Sequence, residues 1–348
     1  MSIPTHQTAL FVQELRGAWK VSSTDVPKPG PGEILIRVEA ASLNPVDWKI
    51  QMYGVAVTIF PAILGSDSAG TVVEVGEGVT RVAVGDRVLH QGYYHNRIAT
   101  FQQYTVANEK RVAKIPPKLS FDQAAAIPVA LSAAAFGLYG TKVQQGGAGL
   151  TAPWREGGRG KYAGQPIVVL GGASSVGQYV IQLAKVSGFS PIITTVSPHN
   201  NDLVTALGAT HPVDRALPLS ELKAITSEPI SVVFDAVSSA ETQRAGYDLL
   251  APGGTLVLVL DPVGSLGAGE KEGRSVISTY ATVHVETNRE IGEEMYEHLE
   301  AFLESGDLKP NLVEVVPGGL ASIPEAFERM KKNQVSGQKL VVRPTESA

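Results

Sequence analysis

PIVVLGGASSVGQYVIQLAKVSGFSPIITTVSPHN, Pro166–Asn200, opens with the β-branched run Ile167-Val168-Val169-Leu170 between Pro166 and Gly171, which reads as a buried parallel strand. From Ser174 onward Val176, Val180, Ile181, Leu183 and Ala184 recur at helical spacing until Gly188, so a helix follows. Ile192–Val196 then reads as a second strand. The three form one βαβ unit, the crossover that a parallel pair requires.

The turn Gly172-Ala173-Ser174-Ser175-Val176-Gly177 stands where a dinucleotide-binding G-x-G-x-x-G would stand, with serine at the middle glycine position. N–H groups at the start of the helix can hold a pyrophosphate, and Gly177 permits close packing of helix on strand. A glycine turn of any α/β protein would look the same. An acidic residue ending the second strand would mark an NAD site. Here Val196-Ser197-Pro198-His199-Asn200 stand instead. A carboxylate would repel a 2′-phosphate, whereas Ser197, His199 and Asn200 can donate hydrogen bonds to one. The expected cofactor is therefore NADPH rather than NADH.

The chain has 348 residues, with 29 basic and 34 acidic side chains and a formal charge of −5. That length suits two domains. No basic block suggests nucleic acid, no apolar run is read as a membrane span, and the N-terminus lacks the marks of a signal peptide. There is no cysteine, so disulfides, thiolate metal sites and cysteine nucleophiles are excluded, and a cytoplasmic location is expected.

Up to about Phe121 the chain is rich in short strands and glycine turns. Ile34–Ala40, Thr71–Gly76 and Arg87–His90 read as strands, which predicts a small, partly open β-barrel. Phe121 to about Tyr139 reads as a small-residue helix kinked at Pro128, and the glycine-rich stretch 146–164 as a functional or mobile surface loop. Further strands at 213–214, 231–235 and 255–260 alternate with helices at 201–208 and 239–250, extending a doubly wound sheet. Its ligand would lie at the carboxyl ends of the strands, which brings in Val237 and Leu260, although ordinary turns fit those positions equally. Helices at 288–303 and 323–332 precede a last strand, Gln338–Val342.

Asn44–Ile50, Leu64–Gly70, Gly85–Val88 and Gly337–Val342, in this order and spacing, resemble the medium-chain dehydrogenase/reductase superfamily. The likeness is to its zinc-free, quinone oxidoreductase-like branch, including fungal trans-acting enoyl reductases and relatives labelled zinc-binding alcohol dehydrogenases. The resemblance implies an α/β protein with a GroES-like, partly open β-barrel (1–127 and 288–348) and a Rossmann doubly wound parallel sheet (128–287). Asn44-Pro45 and Ser66-Asp67 stand where zinc enzymes place metal ligands, and no metal is expected. The implied reaction is hydride transfer from NADPH to the β-carbon of an α,β-unsaturated carbonyl. Quinone reduction, or an NADPH-binding sensor or accessory protein with little turnover, are the alternatives.

The resemblance also supplies site residues. Lys49 would orient the cofactor ribose or stabilise the enolate, Tyr53 would supply a proton, and Ser132 would replace a threonine beside the nicotinamide. Lys339 would approach the cofactor, although a solvated lysine at a strand end fits its position as well. Loops at 49–60, 93–95, 146–164 and 264–274 would line the substrate pocket, whose aromatic residues suggest an apolar or aromatic substrate. A carrier protein is a further candidate partner. Either a monomer or a homodimer is compatible, with 274–280 as the candidate pairing edge.

Overall fold

The computed structural model describes residues 3–266 and 272–346. Part of the predicted pocket loop 264–274, namely 267–271, lies outside the described residues. The chain divides into two compact units, Met1–Val129 with Tyr296–Glu304 and Pro310–Ala348, and Ala130–Met295 with Ser305–Lys309. The helix at 286–305 crosses from one to the other, so its second half falls later than the boundary expected at 288.

The first unit begins with the hairpin β1 (His6–Val12) and β2 (Trp19–Asp25), then β3 (Glu33–Ser42), α1 (Pro45–Tyr53), β4 (Ala62–Ile63), β5 (Asp67–Val75), β6 (Arg87–Gln91), β7 (Tyr104–Asn108) and β8 (Val112–Lys114). The hairpin and β4 make a three-stranded sheet; β3, β5, β6, β7 and β8 belong to a seven-stranded one. That sheet is completed by two strands from the end of the chain, Leu312–Val315 and Gln338–Val342. Residues Leu10, Val38, Ile50, Phe101, Phe327 and Val342 pack in one core, and Ile34, Ile36, Val72 and Val88 in another.

The expected helix from Phe121 to Tyr139 is two helices, α2 (Phe121–Ala125) and α3 (Pro128–Tyr139). Proline starts a helix readily because its missing N–H has no partner there anyway. By length and composition this stretch could cross a membrane, contrary to the expectation that none could, but 78% of the window is buried inside the fold.

The second unit holds β9 (Ile167–Leu170), α4 (Ser175–Ser187), β10 (Ile192–Val196), α5 (Asn201–Leu207), β11 (His211–Asp214), β12 (Val232–Asp235), α6 (Ala240–Leu249), β13 (Thr255–Leu258) and β14 (Ser275–Ser278). All six strands are parallel, in the order β11-β10-β9-β12-β13-β14. This is the doubly wound order 3-2-1-4-5-6, with its switch point between β9 and β12. The stretch 146–164 has no helix or strand, yet it is anchored. Arg155 makes a bidentate pair with Glu294 (2.8 Å and 2.8 Å), Arg159 bonds Asp307, and Tyr162 stacks on Phe189.

At β14, the edge considered for pairing, the Gln144 side chain donates to the Val276 carbonyl (2.9 Å) and the Gln145 N–H to that of Ser278 (3.0 Å). The chain thus takes up part of its own edge. The helices α7 (Glu286–Ser305) and α8 (Ile323–Lys331) and the strands β15 (Leu312–Val315) and β16 (Gln338–Val342) complete the chain.

Candidate functional site

Each unit holds one set of candidate residues. In the second unit the turn from β9 into α4 is drawn tight. Gly171 has φ +83, its N–H donates to Thr195 Oγ1 (3.0 Å), and the Gly172 N–H donates to the Thr195 carbonyl (3.0 Å). A Cβ on Gly172 would lie 2.1 Å from Thr194 Oγ1, and one on Gly177 2.3 Å from the Gly171 carbonyl. Ser174 caps α4, its hydroxyl accepting the Gly177 N–H (3.0 Å). The opening turn of a helix has N–H groups without intrahelical partners, so Ala173, Ser174, Ser175 and Val176 stand around a place suited to an anion.

The neighbouring strand ends add to this cradle. Val237 lies against Gly171: a Cβ there would be 2.5 Å from Val237 Cγ2. Val237 and Leu260 are 47% and 43% exposed, unusual for apolar side chains at the ends of buried strands. Asp235 supports that turn, its Oδ1 accepting the N–H groups of Val237 (3.0 Å) and Ser238 (2.8 Å). Burial raises the Asp235 pKa.

The end of β10 corrects part of the sequence reading. Ser197 is half-buried and His199 exposed, but Asn200 is buried, with its Nδ2 3.1 Å from His199 Nε2. Asn200 thus lies behind the imidazole, with its amide beside the ring nitrogen. Beside them β11 ends. The Arg215 N–H donates to the Val196 carbonyl (3.0 Å), and its side chain is exposed.

In the first unit the ends of β3, β5 and β16 converge on a buried network. Asp67, fully buried, accepts at Oδ2 from Ser42 Oγ (2.8 Å), Asn44 Nδ2 (2.8 Å) and the Lys339 ammonium. Its Oδ1 accepts the Val129 N–H (2.7 Å). Lys339 Nζ also meets Ser42 Oγ (2.9 Å) and Asn44 Oδ1 (2.9 Å). Its three donors are thus committed to protein, and at 4% exposure it is neither solvated nor turned toward a ligand. This overturns the reading of Lys339 as a solvated strand-end lysine.

Asp47, on the same α1 that begins after Asn44, is fully buried. Its Oδ2 accepts the Asn44 N–H (2.8 Å), while Oδ1 makes no full hydrogen bond, the Gly65 N–H giving it only weak support. Burial above all, with the nearby Asp67 charge, pushes its pKa up from 3.8 to about 8. Between these values the folded state holds a proton that the unfolded chain has released, so stability falls as pH rises through that window. Asp47→Asn keeps an acceptor for the Asn44 N–H without the charge. Its unfolding free energy, from urea titration, is expected to lose that decline and to exceed wild type above the window by on the order of a few kcal/mol; an equal decline in both proteins would remove Asp47 as the cause.

Lys49 and Tyr53, four residues apart, share one face of α1. Lys49 is half-buried, its Nζ 5.8 Å from the centroid of Trp48, and desolvation lowers its pKa. Tyr53 is 63% exposed. Ser132 is fully buried within α3, which leaves Lys49 and Tyr53 as the accessible catalytic candidates.

Comparison with known proteins gives a consistent result. The model of the alcohol dehydrogenase GroES-like domain matches residues 30–117, and that of the zinc-binding dehydrogenase matches residues 175–285. The trans-enoyl reductase grgB of a Penicillium species is 30% identical over 98% of this chain and 99% of its own length. The enoyl reductase component lovC of the lovastatin nonaketide synthase of Aspergillus terreus is 32% identical over 98% and 97%. An alcohol dehydrogenase superfamily protein from Novosphingobium aromaticivorans is similar in structure, with a TM-score of 0.79 and 25% identity over 97% of this chain and 99% of that one.

The zinc named by the second family model does not fit these residues. At the matching places Asn44 has both amide atoms committed, to Asp67 and Lys339, and the Lys339 ammonium would face a dication. Neither thiolate nor imidazole is in that network. Among the described residues no group of three or more histidine, aspartate or glutamate side chains could hold a metal. A nicotinamide dinucleotide does fit, because the tight glycine turn leads into α4, whose first N–H groups lack intrahelical partners and suit a pyrophosphate.

Proposed function

We propose, for a chain that belongs to the medium-chain dehydrogenase/reductase superfamily, that it is an NADPH-dependent reductase of the carbon–carbon double bond in an α,β-unsaturated carbonyl, with an enoyl thioester as the preferred class. The observation that carries this reading is the ammonium-centred network at Asn44, Asp67 and Lys339. A substrate that depends on a metal for activation is not served there. A conjugated carbonyl activates its own β-carbon and asks the protein only for hydrogen-bond donors and a proton.

NADPH, when bound, supplies the hydride. Gly172 to Gly177 would hold its pyrophosphate, Ser197 and His199 its 2′-phosphate, and Val237 and Leu260 would cover it with apolar surface. Lys49 donates to the carbonyl oxygen as negative charge develops. Its depressed pKa makes that donor more acidic than an ordinary lysine. Tyr53 provides the proton for the α-carbon. The names of the two fungal relatives favour an enoyl thioester over a quinone, and we place delivery by a carrier protein within this proposal. The partly covered edge of β14 supports a monomer, and a chain without cysteine suits the cytoplasm.

The test is cofactor oxidation by the purified protein, with NADPH and NADH in parallel, against enones, enals, pantetheine enoyl thioesters and quinones, and mass spectrometry of the products. Saturated carbonyl compounds with NADPH preferred are expected, and Lys49→Ala should lower kcat by roughly 100-fold with NADPH affinity unchanged. Reduction at the C=O bond, or tight NADPH binding with no turnover of any substrate, would sink the proposal.

A further inference from the structure

We infer that Arg16 takes the phosphate of a pantetheine arm that carries the enoyl thioester; the inference rests on the enoyl thioester reading and adds a substrate subsite to it. Arg16 lies in the turn between β1 and β2 with φ +60, a left-handed conformation that glycine, asparagine or aspartate ordinarily occupies. The turn does contain a glycine, but one position later, at Gly17. A strained residue of this kind persists only where its surroundings hold it, and such residues gather at functional surfaces. Three hydrogen bonds hold this turn to the end of α1. The Arg16 N–H donates to the Gln51 carbonyl (2.8 Å), Arg16 Nε to the Met52 carbonyl (3.2 Å), and Gln51 Nε2 to the Gly17 carbonyl (2.8 Å).

Capping two carbonyls in the last turn of α1 accounts for the Arg16 N–H and for Nε, but not for the rest of the guanidinium. Among the described residues neither Nη group makes a hydrogen bond and no carboxylate pairs with Arg16, although Glu14 belongs to the same turn. Exposed, fixed at Nε and open at both Nη atoms, the group presents a fork that matches phosphate oxygens. Apolar surface adjoins it. Leu15, Val55 and Ile59 are all exposed, Ile59 at 82%, and Leu15 packs on the end of α1, where a Cβ on Gly54 would meet its Cδ1 at 3.0 Å. Tyr53, the candidate proton donor, directly follows Met52. Lys49 and Lys331 flank Trp48, 5.8 and 5.5 Å from its ring centroid, so the surface around α1 is rich in cations although the chain carries a formal charge of −5. A pantetheine arm has matching parts: a thioester at one end, an apolar gem-dimethyl group, and a phosphate at the other end.

The experiment reads binding and needs no reduction. Phosphopantetheine, pantetheine and coenzyme A are titrated by calorimetry into wild type, Arg16→Lys and Arg16→Gly at low and high salt, once circular dichroism shows each variant folded. Wild type is expected to bind phosphopantetheine roughly 10- to 100-fold more tightly than pantetheine, a preference that weakens in salt. Arg16→Gly relieves the backbone conformation and removes the fork, so it should bring the preference to within about twofold of unity. Arg16→Lys should keep part of it, because it retains the charge. A preference left intact in Arg16→Gly would make Arg16 merely structural and overturn the assignment, as would equal binding of the two compounds by wild type. Coenzyme A bound as tightly as phosphopantetheine would assign the subsite to free coenzyme A thioesters, and weaker binding would assign it to a carrier-borne arm; both support the subsite. The enoyl thioester reading falls on a different result, the failure of pantetheine enoyl thioesters to be reduced.

Discussion

Replacing Lys339 by methionine is expected to destabilise the barrel unit by about 3–5 kcal/mol, the cost of leaving a buried charge without its partner. Asp67 has no exposure, and without the ammonium its carboxylate keeps only Ser42, Asn44 and the Val129 N–H. Asn44 Oδ1 loses the Lys339 donor at the same time. The damage spans three strands, because Ser42 ends β3, Asp67 begins β5 and Lys339 lies in β16. Urea unfolding followed by the fluorescence of Trp19 and Trp48 would show it, both being packed against the barrel core.

A charge-removing double variant, Asp67→Asn with Lys339→Met, is expected to regain a good part of the loss, since a neutral amide can still be served by the remaining donors. A loss below about 1 kcal/mol in Lys339→Met would mean that the pair is held neutral rather than ionic. Either way the network is structural in origin. Its consequence for chemistry is indirect: it fixes Asn44 at the start of α1, and α1 carries Lys49 and Tyr53.

Much of the architecture was legible because period and punctuation agree. Strands β9, β10, β12 and β13 are short apolar runs, and the helices between them carry apolar residues at helical spacing, so local pattern and buried sheet point the same way. The site was legible only where it is local. The turn at Gly172 to Gly177 is contiguous in sequence, and so are Lys49 and Tyr53 on one helix.

The pairing of Lys339 was not legible because its partner Asp67 lies 272 residues away, and a lysine among Leu340, Val341 and Val342 looks the same whether solvated or buried in a pair. The full extent of β11 was not legible because it is polar and contains Pro212, so its end could not be set against β10 before the register was known. The hairpin of β1 and β2 escaped notice because Trp19–Asp25 alternates only weakly, with the burial pattern of an edge strand.

Gly177→Ala is expected to reduce NADPH affinity by more than about 100-fold and Gly172→Ala by less, although Gly172 has the nearer obstacle. The difference lies in what each Cβ would meet. At Gly172 it is Thr194 Oγ1 at 2.1 Å, a side-chain atom, with Thr194 Cβ at 3.1 Å. At Gly177 it is the Gly171 carbonyl oxygen at 2.3 Å and the Gly172 Cα at 2.9 Å. Backbone cannot rotate away, so an alanine at 177 must push the start of α4 off the turn and displace the N–H groups that face the pyrophosphate.

Overpacking of this kind also costs about 1–3 kcal/mol of stability, so circular dichroism must first show that each variant is folded. Thr194→Ala removes the hydroxyl that obstructs position 172, at the cost of its bond to the Val169 carbonyl (2.7 Å), and should restore part of the affinity lost in Gly172→Ala. It should restore none in Gly177→Ala, where the obstruction is main chain. A folded Gly177→Ala protein that binds NADPH as wild type does would show that the pyrophosphate is not held at this turn, and the assignment of residues 172–177 would fail with it.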